Sequence, residues 1–194
     1  MNSRTSPHPV PVHLLIVALL ALAALLPAAA SASGGKAEYP LPDPKTTKIE
    51  IPGSIGGVSL GQTRKEALSE WGRKAECKDD FCHWGPKRYP DKGEASIRFE
   101  DGVVAYVGIG WSPQFVDGKR PIRRSITKFH TADGIRLKST AKEAKKAFEG
   151  ATTVFPGNDL LYKFATDEAT MYFHVGRFVE RIEILPPGFE YNGE

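Results

Sequence analysis

Two cysteines, Cys77 and Cys82, carry the clearest chemistry in this sequence, because four residues separate them and the chain contains no others. A pair of this kind forms a disulfide, binds a metal or cycles between its thiol and disulfide states. A zinc site wants four ligands and only His83 lies nearby, while a redox pair prefers two intervening residues. The spacing therefore favours a structural disulfide, with the metal pair and the redox pair as the alternatives.

The other candidate motifs are incomplete. The stretch from Gly56 to Thr63 nearly spells a phosphate-binding loop, but Gln62 stands where lysine would contact the phosphates, and we interpret it as a turn and a helix cap. His83, His130 and His174 lack the His-x-x-x-His spacing of a zinc site, and no Gly-x-Ser-x-Gly elbow accompanies them. The sequence therefore indicates no catalytic residue, no metal site and no cofactor.

The loop from Gly85 to Gly93 carries arginine and tyrosine, which are typical anchors of protein interfaces. We predict that this loop and the neighbouring tryptophans bind a protein partner, with a core position as the alternative for both tryptophans. The predicted contact residues are Trp84, Arg88, Tyr89, Asp91 and Trp111.

The first 32 residues are typical of a secretory signal. The apolar run Leu14–Leu26 precedes Ala30-Ser31-Ala32, a small-x-small pattern, and we predict cleavage after Ala32. The run is shorter than the roughly 20 residues of a membrane span, although an uncleaved anchor is the alternative. Export would place the chain in the extracellular or periplasmic space, where disulfides persist. The formal net charge of +3 indicates no nucleic-acid partner.

Two capping boxes position these candidates along the chain. Thr63-Arg-Lys-Glu66 and Thr140-Ala-Lys-Glu143 each predict the start of a helix of about ten residues. Helices this short do not persist alone. We therefore expect Trp71 and Phe148 to dock them onto a sheet.

The capping boxes belong to a segment that recurs, because Gly57 to Ala67 is similar to Gly134 to Ala144 about 77 positions later. Hairpin signals at Asp101-Gly102 and Val175-Gly176 follow the two copies. Recurrence at this spacing predicts an α+β fold of two tandem repeats, each with a short helix packed on one face of an antiparallel sheet. The predicted boundaries are a signal peptide at 1–32, a flexible tether at 33–45, repeat units at 46–111 and 125–186, a connector at 112–124 and a tail at 187–194.

This repeat resembles the β-lactamase inhibitory protein and its secreted relatives, and also the small module of outer-membrane assembly lipoproteins. The resemblance implies helices on one side of an antiparallel sheet that continues across both units, and an opposite face that grips a protein partner. Tyr89 and Asp91 are loose analogues of the inhibitor's contact groups, and the second copy lacks the cysteines that the inhibitor has in each unit. The residues that match the family's motif are Gly61, Thr63, Arg64, Gly72 and Cys77.

These observations lead to one functional hypothesis and two alternatives. We expect a secreted, non-enzymatic protein-binding module, for which the resemblance suggests inhibition of an extracellular enzyme. The first alternative is a structural protein of the cell envelope, and the second is a hydrolase with a cleft between the repeats. No feature of the sequence specifies how many copies of the chain associate.

Overall fold

The computed structural model describes residues 41–85, 94–110, 124–156 and 160–191, all within the compact unit Tyr39–Glu194. The predicted signal peptide, most of the predicted tether and nearly all of the connector lie outside the described residues. In chain order the elements are β1 (Ile49–Glu50), β2 (Ser54–Ile55), α1 (Arg64–Trp71), β3 (Glu76–Lys78), β4 (Phe81–Trp84), β5 (Glu94–Glu100), β6 (Val103–Gly110), α2 (Arg124–Thr127), α3 (Ala141–Ala147), β7 (Thr152–Val154), β8 (Leu160–Ala165), β9 (Thr170–Val175) and β10 (Val179–Leu185).

The predicted fold class, an α+β pair of helix-plus-sheet repeats, is wrong. Within the described residues, strands make up 43% and helices only 14%, so this part of the chain is mostly antiparallel sheet. Eight strands form one sheet in the order β3-β4-β5-β6-β10-β9-β8-β7, and β1 pairs with β2. The physical reason lies at the centre, where Val107 and Ile109 of β6 pair with Ile184 and Ile182 of β10. This pairing joins all eight strands into one sheet, as the resemblance implied, and strands rather than helix-plus-sheet units dominate the described fold.

The local predictions hold within this sheet. Both capping boxes are confirmed: the Thr63 hydroxyl accepts from the Glu66 amide, the Glu66 carboxylate accepts from the Thr63 amide, and Thr140 and Glu143 repeat the arrangement. The hairpin at Asp101-Gly102 is confirmed by the antiparallel pairing of β5 with β6. The second hairpin is also present, but Val175 lies in β9 and pairs with Val179, so the turn is at residues 176–178. Short-range sequence signals therefore determine the turns and the helix starts.

The core lies between the helices and one face of the sheet. Trp71, at the end of α1, is fully buried against Trp84 and Phe129, with ring centroids 5.4 and 5.6 Å away. Phe148 follows α3 directly and packs against aromatic rings of β8 and β9, including Phe173 at 4.7 Å. The helices α1 and α3 therefore each dock through one large aromatic side chain, as expected.

Candidate functional site

The cysteine pair is the one predicted site that the structure brings together. Cys77 and Cys82 form a disulfide and lie directly opposite one another in the pairing of β3 with β4. The bond therefore ties the outermost strand on that side of the sheet to its neighbour.

Most of the predicted interface loop lies outside the described residues. Arg88, Tyr89, Asp91 and Trp111 lie outside the described residues. Trp84 is fully buried, with its ring edge-on to Trp71, because its position in β4 faces the core. Trp84 therefore occupies the core position that was its alternative, and it offers no surface to a partner.

A different candidate site lies on the sheet face opposite this core. Side chains alternate along each strand, so residues between the core positions share the other face. We call this surface the polar face, because carboxylate, imidazole, guanidinium and phenol groups meet there. Its residues are Phe81 and His83 of β4, Glu94 and Arg98 of β5, Tyr106 of β6, His174 of β9, and Arg181 and Glu183 of β10.

The centre of the polar face is the carboxylate of Glu183, which is only 1% exposed. The His174 Nε2 atom lies 2.5 Å from Glu183 Oε1, and the Tyr106 hydroxyl donates to Oε2 at 3.0 Å. The Tyr191 hydroxyl also donates to Oε1. A buried carboxylate costs free energy unless donors surround it, and here three side chains from three segments supply them.

These contacts set the protonation states of the cluster. Burial alone would raise the pKa of Glu183, but the hydrogen bond and charge of His174, the Tyr191 hydroxyl and Arg181 outweigh it and hold that pKa below its ordinary value. Burial and the adjacent Glu183 charge raise the pKa values of Tyr106 and Tyr191. The carboxylate is therefore ionised and both phenols are protonated at neutral pH.

A glycine makes the contact of Tyr106 possible. Gly108 lies directly opposite Glu183 in the pairing of β6 with β10, and the Tyr106 ring lies over it. A Cβ atom at position 108 would lie 2.7 Å from Tyr106 Cζ and closer still to the hydroxyl oxygen. Any larger residue must therefore displace the ring from its path to Glu183.

We expect Gly108→Ala to lower the free energy of unfolding by about 1–2 kcal/mol, because the displaced phenol no longer donates to a buried carboxylate. Gly110→Ala is the matched control on the same strand and face, since its Cβ would meet Arg181 Nε at an ordinary 3.6 Å. Urea unfolding of both variants checks the prediction. Equal stabilities for the two variants would show that the Tyr106 contact contributes nothing.

The tail after β10 covers part of the polar face. The Tyr172 hydroxyl donates to the Phe189 carbonyl oxygen at 2.7 Å, and the Tyr191 ring lies edge-on to Tyr172 and to His174. Lys163 forms an ion pair with Glu190. Through these contacts the Glu183 cluster holds the end of the described chain against the sheet.

The other half of the polar face is more accessible. The Glu94 carboxylate lies 3.5 Å from His83 Nε2, and this hydrogen bond holds the pKa of Glu94 below its ordinary value despite partial burial. The Arg181 guanidinium is 4.0 Å from Glu94, and its side chain is 49% exposed. Phe81 is 44% exposed and stacks on His83.

The Glu183 cluster is poorly exposed for acid–base chemistry on a bound molecule. A catalytic carboxylate exchanges a proton with a substrate, but Glu183 is only 1% exposed and three protein side chains donate to its carboxylate. The two phenols have raised pKa values, so they are poor bases and poor nucleophiles. In the parts of the chain that the structure describes, no group of three His, Cys, Asp or Glu side chains could hold a metal ion.

Sequence reasoning missed this cluster. Glu183 stands between Ile182 and Ile184. A charged residue between two apolar residues of a strand is typical of a side chain that faces solvent. The only available signal was that tyrosine, histidine and glutamate recur at the alternate positions of β6, β9 and β10. The pairing of β6 with β10, which brings Tyr106 to Glu183, spans 77 positions of the chain.

No protein-family model and no curated protein matches the chain. Among solved structures it is similar to a DUF4309 family protein, YjgB, from Bacillus subtilis, with 12% identity and a TM-score of 0.40. The match covers 71% of this chain and 87% of that one. Because the TM-score is below 0.5, this likeness carries no argument about fold or function.

Proposed function

We propose that the chain is an exported, non-enzymatic protein-binding module and that its binding surface is the accessible half of the polar face. The observation that carries this proposal is the presence of exposed aromatic and guanidinium groups on paired strands. Phe81, Arg98 and Arg181 project from β4, β5 and β10, whose backbones are fixed by the sheet. A preformed surface of this kind binds with little ordering cost.

The charges of the polar face indicate the chemistry of the partner. Arg98 and Arg181 have side chains that are 54% and 49% exposed, and each lies beside a carboxylate, Glu100 or Glu94. The Glu94 contact, at 4.0 Å, leaves guanidinium donors available to a second carboxylate. We therefore propose a partner that presents an acidic side chain to Arg181 and an apolar side chain to Phe81.

The proposed binding surface is more polar than a surface that binds through a wide apolar patch. Phe81 stands among charged neighbours, so shape and charge complementarity would give the specificity. An extracellular enzyme is the first class of partner to test, as the resemblance of the motif from Gly61 to Cys77 suggests. The disulfide of Cys77 with Cys82 is compatible with a secreted or periplasmic protein. In the described segments, no helix is both long enough and apolar enough to cross a bilayer.

The test uses the tagged full chain, recovered from the exported fraction of an expression host, to capture proteins from culture supernatant. A captured protein is then purified and its affinity measured by calorimetry. We expect the double variant Phe81→Ala, Arg181→Ser to lower that affinity at least about tenfold, since buried aromatic and arginine anchors dominate interfaces. The control Lys65→Ser removes one exposed cation of α1, away from both the polar face and β7, and should change affinity less than about twofold.

Two results would contradict the proposal. One is the failure of any purified protein to bind the wild-type chain, which would favour a structural role in the envelope. The other is equal affinity for the wild type and the polar-face variant, which would place the binding surface elsewhere. Unfolding curves of all variants show whether the fold is retained.

A further inference from the structure

Among the described residues, no strand pairs with the outer side of β7, which lies at the edge of the sheet. β7 pairs with β8 on one side and is the last strand in the order of the sheet. Its two threonines are exposed, Val154 is half-buried, and the following Phe155 is 67% exposed. Thr-Thr-Val-Phe combines high β propensity with no charge, whereas natural sheet edges usually carry charges that discourage pairing.

The opposite edge shows the protection that β7 lacks. In β3 the exposed side chains of Glu76 and Lys78 flank Cys77, whose disulfide ties the strand to β4. Both edge strands are three residues long, so length does not distinguish them. The charge pattern therefore marks β7 as the less protected of the two edges.

A depression of about 430 Å³ lies beside β7 on the helix side of the sheet. Thr153 lies opposite Tyr162 in the pairing of β7 with β8, so both side chains face this depression. Phe148 and Ala151 also line it, which gives it an apolar floor. Alternate side chains of a strand added to β7 would point into it.

The rim of the depression is basic. Lys142, Lys145 and Lys146 of α3 line it together with one carboxylate, Glu149. Residues three and four apart share a helix face, so the three ammonium groups lie on one side of α3. Within the described residues, no carboxylate lies at ion-pair distance from any of them.

We propose that β7 and this lysine-rimmed depression bind an extended, acidic segment of a partner protein by strand addition. The outer backbone groups of β7 would form the hydrogen bonds, and carboxylates at alternate positions of the segment would contact Lys142, Lys145 and Lys146. This site is separate from the polar face, and it adds a second mode of recognition to the proposed binding module.

The lysines also argue against a second copy of this chain as the occupant. A symmetric pair of β7 strands would place two copies of α3, each with three lysines, on either side of one short junction. The ammonium groups of the two copies would repel one another across this junction. An acidic segment converts the same charges into attraction, so it is the occupant that the charge distribution favours.

The test uses the full chain and a fluorescein-labelled, acetylated peptide of sequence Thr-Glu-Val-Glu-Val-Glu-Thr, followed by fluorescence anisotropy. We expect at least about tenfold tighter binding than for the same peptide with lysine at each glutamate or with proline at each valine. The charge reversal Lys142→Glu, Lys145→Glu should weaken binding of the acidic peptide about tenfold, and Lys65→Glu, Lys128→Glu less than about twofold. Hydrogen exchange should slow over Thr152–Phe155.

The outcomes separate this site from the polar face. Peptide binding should be unchanged in Phe81→Ala, Arg181→Ser, so that the two surfaces succeed or fail independently. The strand-addition proposal is wrong if the acidic peptide binds no better than the lysine peptide, or if protection appears away from β7. It is also wrong if the chain alone sediments as a dimer with β7 already protected.

Discussion

Replacing Trp71 with alanine should lower the free energy of unfolding by about 4 kcal/mol. The indole is fully buried between Trp84 and Phe129, and its N–H donates to the Ile55 carbonyl oxygen at 3.0 Å. The change removes a large packed volume and leaves that carbonyl without its partner. Gly56 adjoins the same ring, because a Cβ there would lie 2.8 Å from Trp71 Nε1, so the indole is packed directly against the backbone.

Urea unfolding followed by far-ultraviolet circular dichroism measures this effect. Phe155→Ala is the control, because Phe155 is 67% exposed and its loss should cost less than about 0.5 kcal/mol. If Trp71→Ala cannot be produced folded, Trp71→Phe keeps most of the volume but not the N–H, and should cost about 1–2 kcal/mol. A Trp71 variant as stable as the Phe155 control would show that α1 does not depend on this anchor.

The features that the sequence predicted correctly are those in which cause and effect lie within a few residues. Thr63 and Glu66 are three positions apart, and Asp101-Gly102 reverses the chain within its own turn. The disulfide likewise joins near neighbours. Each depends on local geometry that tertiary contacts do not alter.

The fold class failed because it depends on contacts between distant strands. Two similar segments predicted two helix-plus-sheet units, but the helices contain eight and seven residues and the β6–β10 pairing merges all strands. Phe148 illustrates the same limit on a smaller scale. Its spacing predicted a position on the helix, whereas α3 ends at Ala147 and the ring docks from the cap position.

The candidate site was beyond sequence reasoning for the same reason. Alternation correctly places Glu183 on the face opposite Ile182 and Ile184, but alternation does not reveal that this face is covered there. Burial of Glu183 depends on Tyr191 of the tail, on His174 of the neighbouring strand and on Tyr106 from across the sheet. Only the strand order brings these groups together.

Glu183 also makes the free energy of unfolding depend on pH. Its pKa in the folded chain lies below the ordinary carboxyl value of 4.5. As pH falls, position 183 therefore takes up a proton in the unfolded chain before it does so in the folded chain. The stability that Glu183 contributes is fully present above about pH 4.5, and it is lost as the pH falls through the pKa of the folded state. Glu94 also has a lowered pKa, so its protonation contributes to the same loss of stability at acidic pH.

We expect Glu183→Gln to lower the free energy of unfolding at pH 7 by about 2–3 kcal/mol and to flatten its fall below pH 4.5. The amide keeps the shape of the side chain, but its single acceptor oxygen cannot satisfy His174, Tyr106 and Tyr191 together. Glu100→Gln removes an exposed carboxylate that pairs with Arg98 and should change stability by less than about 0.5 kcal/mol. Urea unfolding at a series of pH values from 3 to 7 measures both effects. Since Glu94 still titrates in the variant, the slope of unfolding free energy against pH below 4.5 should decrease without vanishing. A slope identical to that of the wild type would show that Glu183 is not the ionised centre of the polar face.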